Sequence, residues 1–244
     1  MSAPVRERVI VALDQPDAAA ALACASALRG RVRWVKVGMT LFYAEGPVII
    51  AAVRDLGFDV FLDLKLHDIP HQVERAARAL GALGVGMLTV HASGGEAMVR
   101  AAVDGAREGA SAAGVASPAV LAVTVLTSLD ARMLESLGVC RGLDEQVDAL
   151  ARLASSARAA GVVCSPREAA AMRSMLGARA LVVTPGVRPG DGGHGDQARV
   201  ATPAAALAAG ASHIVIGRPV TEAPDPALAL ERIIEQIESA GQDA

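Results

Sequence analysis

Short β-branched runs recur along the chain at fairly even spacing, and within them nearly every position is apolar rather than alternating with polar ones. The runs at 9–14, 32–38, 59–65, 85–91, 119–126, 161–165, 180–185 and 213–217 read as eight strands. Strands that are apolar on both faces belong to a parallel sheet covered on its outside by helices. Between them lie alanine-rich stretches with charges at helical spacing, which predict helices over 17–29, 45–56, 73–83 and 96–108. A small-residue loop is expected over 109–118 and a longer, less regular connection over 127–145. Eight βα units in 244 residues match an α/β fold of the (β/α)8 TIM-barrel type, with residues 1–244 as a single domain. A doubly wound open sheet is the alternative. No Pro/Gly/Ser linker or shift in composition marks a second domain.

In such a barrel the functional end is where the strands finish C-terminally. Polar residues collect at those ends: Asp14 closes the first run, Lys36 lies late in the second, and Asp63 and Lys65 lie late in the third. His91 follows the fourth run, Thr127 the fifth, Arg188 the seventh, and Gly217 with Arg218 the eighth. Six or more strands therefore offer polar groups to one mouth, which favours an enzyme over a scaffold.

Of the 23 basic residues only two, Lys36 and Lys65, are lysines. Both stand in apolar runs, VRWVKVG and VFLDLKLHD, where a surface ion pair would be out of place. An ammonium is a compact donor whose pKa can be tuned, whereas a guanidinium stays protonated. In DLKLHDIP, regular strand alternation puts Asp63 and Lys65 on one face, with Asp68 beyond the strand and Pro70 setting the start of the next helix. Two carboxylates around one ammonium would hold Lys65 protonated and in place, as an acid facing a developing carbanion. An ordinary Asp-Lys pair at a barrel rim accounts for the same three residues, and Lys36 and Asp14 nearby favour the network.

The run SHIVIGRPVT ends the last strand with Gly217-Arg218, where barrels commonly hold a phosphate. Arginine there supplies a bidentate clamp. Residues 186–197, GVRPGDGGHGDQ, contain five glycines, as expected of a lid that closes on substrate or simply of an exposed loop.

Composition narrows the classes. Apolar residues make up 52% with only five aromatics, so the core is built from Ala, Val, Leu and Ile. A net charge of -3 gives no reason to expect nucleic acid or an anionic membrane as partner. No apolar run of about 18 residues could span a bilayer, and no secretory leader pattern opens the chain. Cys24, Cys140 and Cys164 are odd in number and widely spaced, as expected of a reduced, cytoplasmic protein; Cys164 ends a strand-like run and is a candidate to face a site.

The motifs VALD (11–14), VKVGMTLFYAEGP (35–47), DLKLHDIP (63–70), VTVLTS (123–128), VVCS (162–165), TPGVR (184–188), DQARVATP (196–203) and IGRPVTEAPDP (216–226) together resemble the bacterial orotidine 5'-phosphate decarboxylases, in order from the first strand to the last helix. The resemblance implies decarboxylation of orotidine 5'-phosphate to uridine 5'-phosphate in pyrimidine synthesis, with no cofactor and no metal. It implies that Lys65 protonates C6, flanked by Asp63 and by Asp68 of the partner subunit in a homodimer. Asp14 and Lys36 would hold ribose hydroxyls, Thr127 the pyrimidine edge, and Gln197 would bridge base and phosphate. Arg188, Gly217 and Arg218 would complete the phosphate grip. One departure from the family pattern follows DIP, where Thr is usual at the second position and this chain has His71-Gln72; Gln72 can still donate and accept hydrogen bonds to substrate.

Two other readings remain. A metal-dependent sugar-phosphate decarboxylase or synthase of the same superfamily would need a carboxylate on the second strand, where Lys36 stands. A unit charge pair at ~4 Å is worth roughly 4 kcal/mol at an effective dielectric of ~20, so a divalent ion facing Lys36 would meet about twice that in repulsion. A non-catalytic phosphosugar-binding barrel would leave both lysines and both carboxylates without a role.

Overall fold

The computed structural model describes residues 3–188 and 201–242. Eight parallel strands close into a barrel in sequence order, each pairing with the next and β8 with β1. The first half runs α1 (Val5–Arg8), β1 (Val9–Leu13), α2 (Ala18–Leu28), β2 (Trp34–Gly38), α3 (Met39–Glu45), α4 (Val48–Asp55), β3 (Asp59–Leu66), α5 (Pro70–Gly81), β4 (Met87–His91) and α6 (Glu96–Ala113). The second half runs β5 (Ala119–Val123), α7 (Ala131–Ser136), α8 (Leu143–Ser156), β6 (Gly161–Val163), α9 (Ala169–Leu176), β7 (Leu181–Thr184), α10 (Pro203–Ala208), β8 (His213–Ile216), α11 (Arg218–Thr221) and α12 (Pro226–Gln242).

Alternation along each strand divides the apolar residues into two cores. Ile10, Ala12, Phe61, Met87, Leu121, Val123, Val163, Val183 and Val215 fill the barrel interior. The intervening Val9, Val11, Leu13, Val35, Val37, Val60, Leu62, Leu88 and Val90 pack outward under the helices. Both faces are therefore dry, which is why the runs are apolar throughout. The same parity that aims Ala12 inward carries on to Asp14, and Lys36, Asp63 and Thr89 occupy inward positions of their own strands.

Three expectations are corrected. The helix expected over 45–56 starts later, as α4 at Val48, because Gly46 takes φ 71° and ends a separate, unanticipated helix, α3, over Met39–Glu45. Of the loop expected over 109–118 only 114–118 is one. α6 continues to Ala113 and ends on Gly114 at φ 68°. Its glycines permit close approach to α5: a Cβ at Gly105 or Gly109 would collide with the backbone oxygen of Glu74 or Arg78. The connection over 127–145 contains α7, capped by Asp130, whose Oδ1 accepts a 2.9 Å bond from the Met133 amide.

The N-terminal end of the barrel is closed by Trp34 and His213, whose rings meet edge to face at 5.9 Å. Burial, with Arg8 and Arg33 adding to it, pushes the His213 imidazole down to about 4. Arg6 forks onto Glu231 at 3.0 and 2.6 Å and Arg31 adds a 2.9 Å bond, tying α12 to the start of the chain. Among the described residues no helix is long and apolar enough to cross a membrane.

Candidate active site

A cavity of about 480 Å³ opens at the C-terminal ends of the strands, a size suited to a small-molecule ligand. Ala12, Phe61, Val123, Val163 and Val215 form an apolar floor. Asp14, Lys36, Asp63 and Lys65 line it from β1 to β3, and Thr127 from the segment after β5. Arg188 after β7, with Gly217 and Arg218 after β8, completes the lining next to β1. One cavity thus brings together most of the residues singled out in the sequence.

Charges alternate across the first three strands. The Lys36 ammonium donates to Asp14 Oδ1 at 2.8 Å and lies 3.8 Å from Asp63 Oδ2, which in turn accepts a 2.8 Å bond from the Lys65 ammonium. Gly38 makes room for this, since a Cβ there would lie 2.9 Å from Lys36 Nζ and 3.1 Å from Asp14 Oδ1. Burial pushes the Asp63 carboxyl up. The charges of Lys36 and Lys65, with hydrogen bonds from Lys65 and Thr89, outweigh it and leave the pKa below the usual carboxylate value.

Asp63 and Lys65 converge for a different reason from the one expected. Regular alternation does not hold: β3 shifts register against β4 between Leu62 and Leu66, and Lys65 adopts φ 52°. A non-glycine residue in this left-handed region stores strain of roughly 1–3 kcal/mol. The bulge turns the lysine back so that Nζ still reaches Asp63.

Thr89 in β4 was not anticipated. It is fully buried; its hydroxyl accepts from the Lys65 amide and donates to Asp63 Oδ1, each at 2.9 Å. The available signal was a lone polar residue in the apolar run MLTVH. Cys164 and Glu222 also line the cavity.

Other candidates lie apart from it. His91 ends β4 beside His67, with ring centroids 5.4 Å apart; burial, His67 and Lys65 lower its pKa. Asp68 is exposed beyond β3 and accepts a 2.7 Å bond from the Ile69 amide, and Gln72 is exposed in the first turn of α5. Neither lines the cavity of its own chain. Gln197 lies outside the described residues, as does the 189–197 part of the expected lid. The base of that segment is pinned by a bridge between Val187 and Ala201 and a 3.0 Å bond from the Arg188 amide to Ala201 O. Among the described residues, no three His, Cys, Asp or Glu side chains are grouped as a metal would require.

Residues 7–233 match the model of the orotidine 5'-phosphate decarboxylase / HUMPS family. An orotidine 5'-phosphate decarboxylase of Anaeromyxobacter sp. strain K is 54% identical over 227 residues, covering 93% of this chain and 96% of that protein. One of Moorella thermoacetica is 50% identical over 234 residues, covering 96% and 93%. The crystal structure of the orotidine 5'-phosphate decarboxylase from Lactobacillus acidophilus superposes with a TM-score of 0.84 at 42% identity, over 95% of this chain and 99% of that one.

Proposed function

The chain belongs to the orotidine 5'-phosphate decarboxylase / HUMPS family, and on that premise we propose that it decarboxylates orotidine 5'-phosphate to uridine 5'-phosphate through Lys65, without metal or cofactor. Its place among relatives that are carboxy-lyases, at about half identity over nearly the whole chain, makes it an enzyme of that class. The observation that carries the catalytic reading is the Lys65 ammonium held 2.8 Å from a buried, ionised Asp63 inside the cavity.

The substrate's pyrimidine lies over the apolar floor, with C6 towards Lys65 and the C6 carboxylate crowded against Asp63. The bond from C6 to the carboxylate breaks, CO2 leaves, and the electron pair remains on C6. A proton on Lys65 Nζ passes to C6, giving uridine 5'-phosphate; the neutral amine recovers its proton from solvent before the next turnover. Asp63 holds the Lys65 ammonium in place at 2.8 Å and destabilises the bound carboxylate more than the transition state from which CO2 is departing.

The other roles follow position. Asp14 and Lys36, bonded to one another beside Gly217, hold the ribose hydroxyls, and Thr127 the pyrimidine edge. Arg188, Gly217 and Arg218 grip the phosphate. Gln197 bridges base and phosphate, and Gln72 contributes a hydrogen bond to substrate. Lys36 places a cation between Asp14 and Asp63, where a divalent ion would otherwise sit, which supports the metal-free reading.

Asp68 completes the site of a second copy in a homodimer. Its exposure supports this, as do the exposed apolar Met39, Tyr43 and Ile69 on the segments after β2 and β3. The enzyme works as one domain in the cytoplasm. It is tested by incubating the purified protein with orotidine 5'-phosphate: stoichiometric CO2 and uridine 5'-phosphate support the assignment, and no turnover overturns it.

A further inference from the structure

We propose that Thr89 is a positioning residue for the decarboxylation, its hydroxyl holding both the Asp63 carboxylate and the left-handed Lys65 backbone in the reactive arrangement. The inference rests on the reading of Lys65 as proton donor.

A threonine hydroxyl has one proton. Because Thr89 Oγ1 accepts from the Lys65 amide, that proton is committed to Asp63 Oδ1. The relay has one direction and rewards the ionised carboxylate. With Oδ1 held by Thr89, Oδ2 is left facing both ammonium groups, 2.8 Å from Lys65 and 3.8 Å from Lys36. The hydroxyl therefore sets which oxygen of Asp63 meets the proton donor.

The Lys65 backbone is the second group that Thr89 holds. Lys65 is one of two non-glycine residues with positive φ among the described residues, and it sits where β3 slips against β4. A residue added at a bulge falls out of the regular ladder. Here the Lys65 N–H bonds to a side chain of the neighbouring strand. Thr89 stands next to Val90, the partner of Leu66, so its hydroxyl spans the irregularity where pairing resumes. Without it a part-buried N–H and a part-buried carboxylate oxygen each lose a partner. Relaxation of φ towards the extended region then carries Nζ away from Asp63. A displacement of about 1 Å in a reacting group costs on the order of 10²-fold in rate.

The ribose and phosphate contacts do not involve Thr89, so the loss falls on kcat. The experiment compares Thr89→Val, which keeps shape and β-branching, with Thr89→Ser, which keeps the hydroxyl. For Thr89→Val, kcat is expected to fall on the order of 10²-fold, with KM and the Kd for uridine 5'-phosphate close to wild type. Thr89→Ser is expected to recover most of kcat. A Thr89→Val enzyme with kcat close to wild type overturns the proposal, as does a Thr89→Ser enzyme as impaired as Thr89→Val. So does a Thr89→Val loss appearing in product affinity and KM as much as in kcat. If Thr89→Val does not fold, Thr89→Ala set against Thr89→Ser gives the same comparison. Wild type inactive on orotidine 5'-phosphate would instead remove the functional reading beneath it.

Discussion

Replacing Lys65 by arginine separates the charge of the residue from its ability to give up a proton. The Lys65 ammonium sits 2.8 Å from Asp63, with its side chain 25% exposed at the cavity wall. Its backbone is held at φ 52° and cannot shift freely to accommodate a longer group. A guanidinium keeps the positive charge, so an ion pair with Asp63 survives, and a purely structural Lys65 predicts mild loss. Its planar head is too bulky for a slot beside a buried carboxylate, and it does not release a proton near neutral pH. A general acid contributes typically ~10²–10⁴-fold, or roughly 3–5 kcal/mol of barrier, so kcat/KM is expected to fall at least that far. The assay is initial-rate decarboxylation of orotidine 5'-phosphate by folded Lys65→Arg protein. Arg54→Lys, at an exposed position of α4, is the surface control. A Lys65→Arg enzyme keeping more than about a tenth of wild-type activity, outside the general-acid range, refutes Lys65 as donor.

Mixing Asp68→Ala with Lys65→Ala protein is expected to restore activity through heterodimers with one intact site; a mixture no more active than either parent after subunit exchange removes Asp68 from the partner's site. Arg218→Ala is expected to lower kcat/KM for the nucleotide by about 10–100-fold, the worth of a charged hydrogen bond, and to leave the phosphate-free nucleoside nearly unaffected; equal losses would make Arg218 structural. His213, lowered to about 4 in the fold from 6.5, makes stability drop as the pH is lowered from neutral, because between those values the unfolded chain takes up a proton that the folded one refuses. Urea unfolding is expected to show wild type losing roughly 3 kcal/mol more than His213→Asn between pH 7 and pH 4; parallel losses would contradict the burial argument.

The barrel was readable because a parallel sheet buries both faces of every strand, so each strand appears as an unbroken apolar run. The runs overestimate strand length because burial outlasts pairing: Val32, Val85, Val125 and Cys164 are buried but outside the strands. Glycine and alanine after residue 108 suggested a loop because composition cannot separate a flexible segment from a helix that must lie close to its neighbour. In the site, Asp14, Lys36, Asp63 and Lys65 stood out as charges at the ends of apolar runs. The bulge at Lys65 did not, because a register shift depends on how two strands pair and leaves no mark on either alone. Thr89 escaped for a related reason: a threonine in a β-branched run looks like core until its hydroxyl is seen between Asp63 and Lys65. Asp68 shows the remaining limit, since on its own chain it is exposed and bonded to the Ile69 amide, and a partner subunit's site cannot be read from one chain.

If this chain's own ammonium and carboxylate groups carry out the decarboxylation, the reaction needs no metal. The most direct test is the rate of uridine 5'-phosphate formation by wild-type protein after exhaustive treatment with EDTA. A metal-free mechanism predicts the same rate before and after chelation, and no gain on adding Mg²⁺. Activity that disappears with EDTA and returns with Mg²⁺ would contradict it.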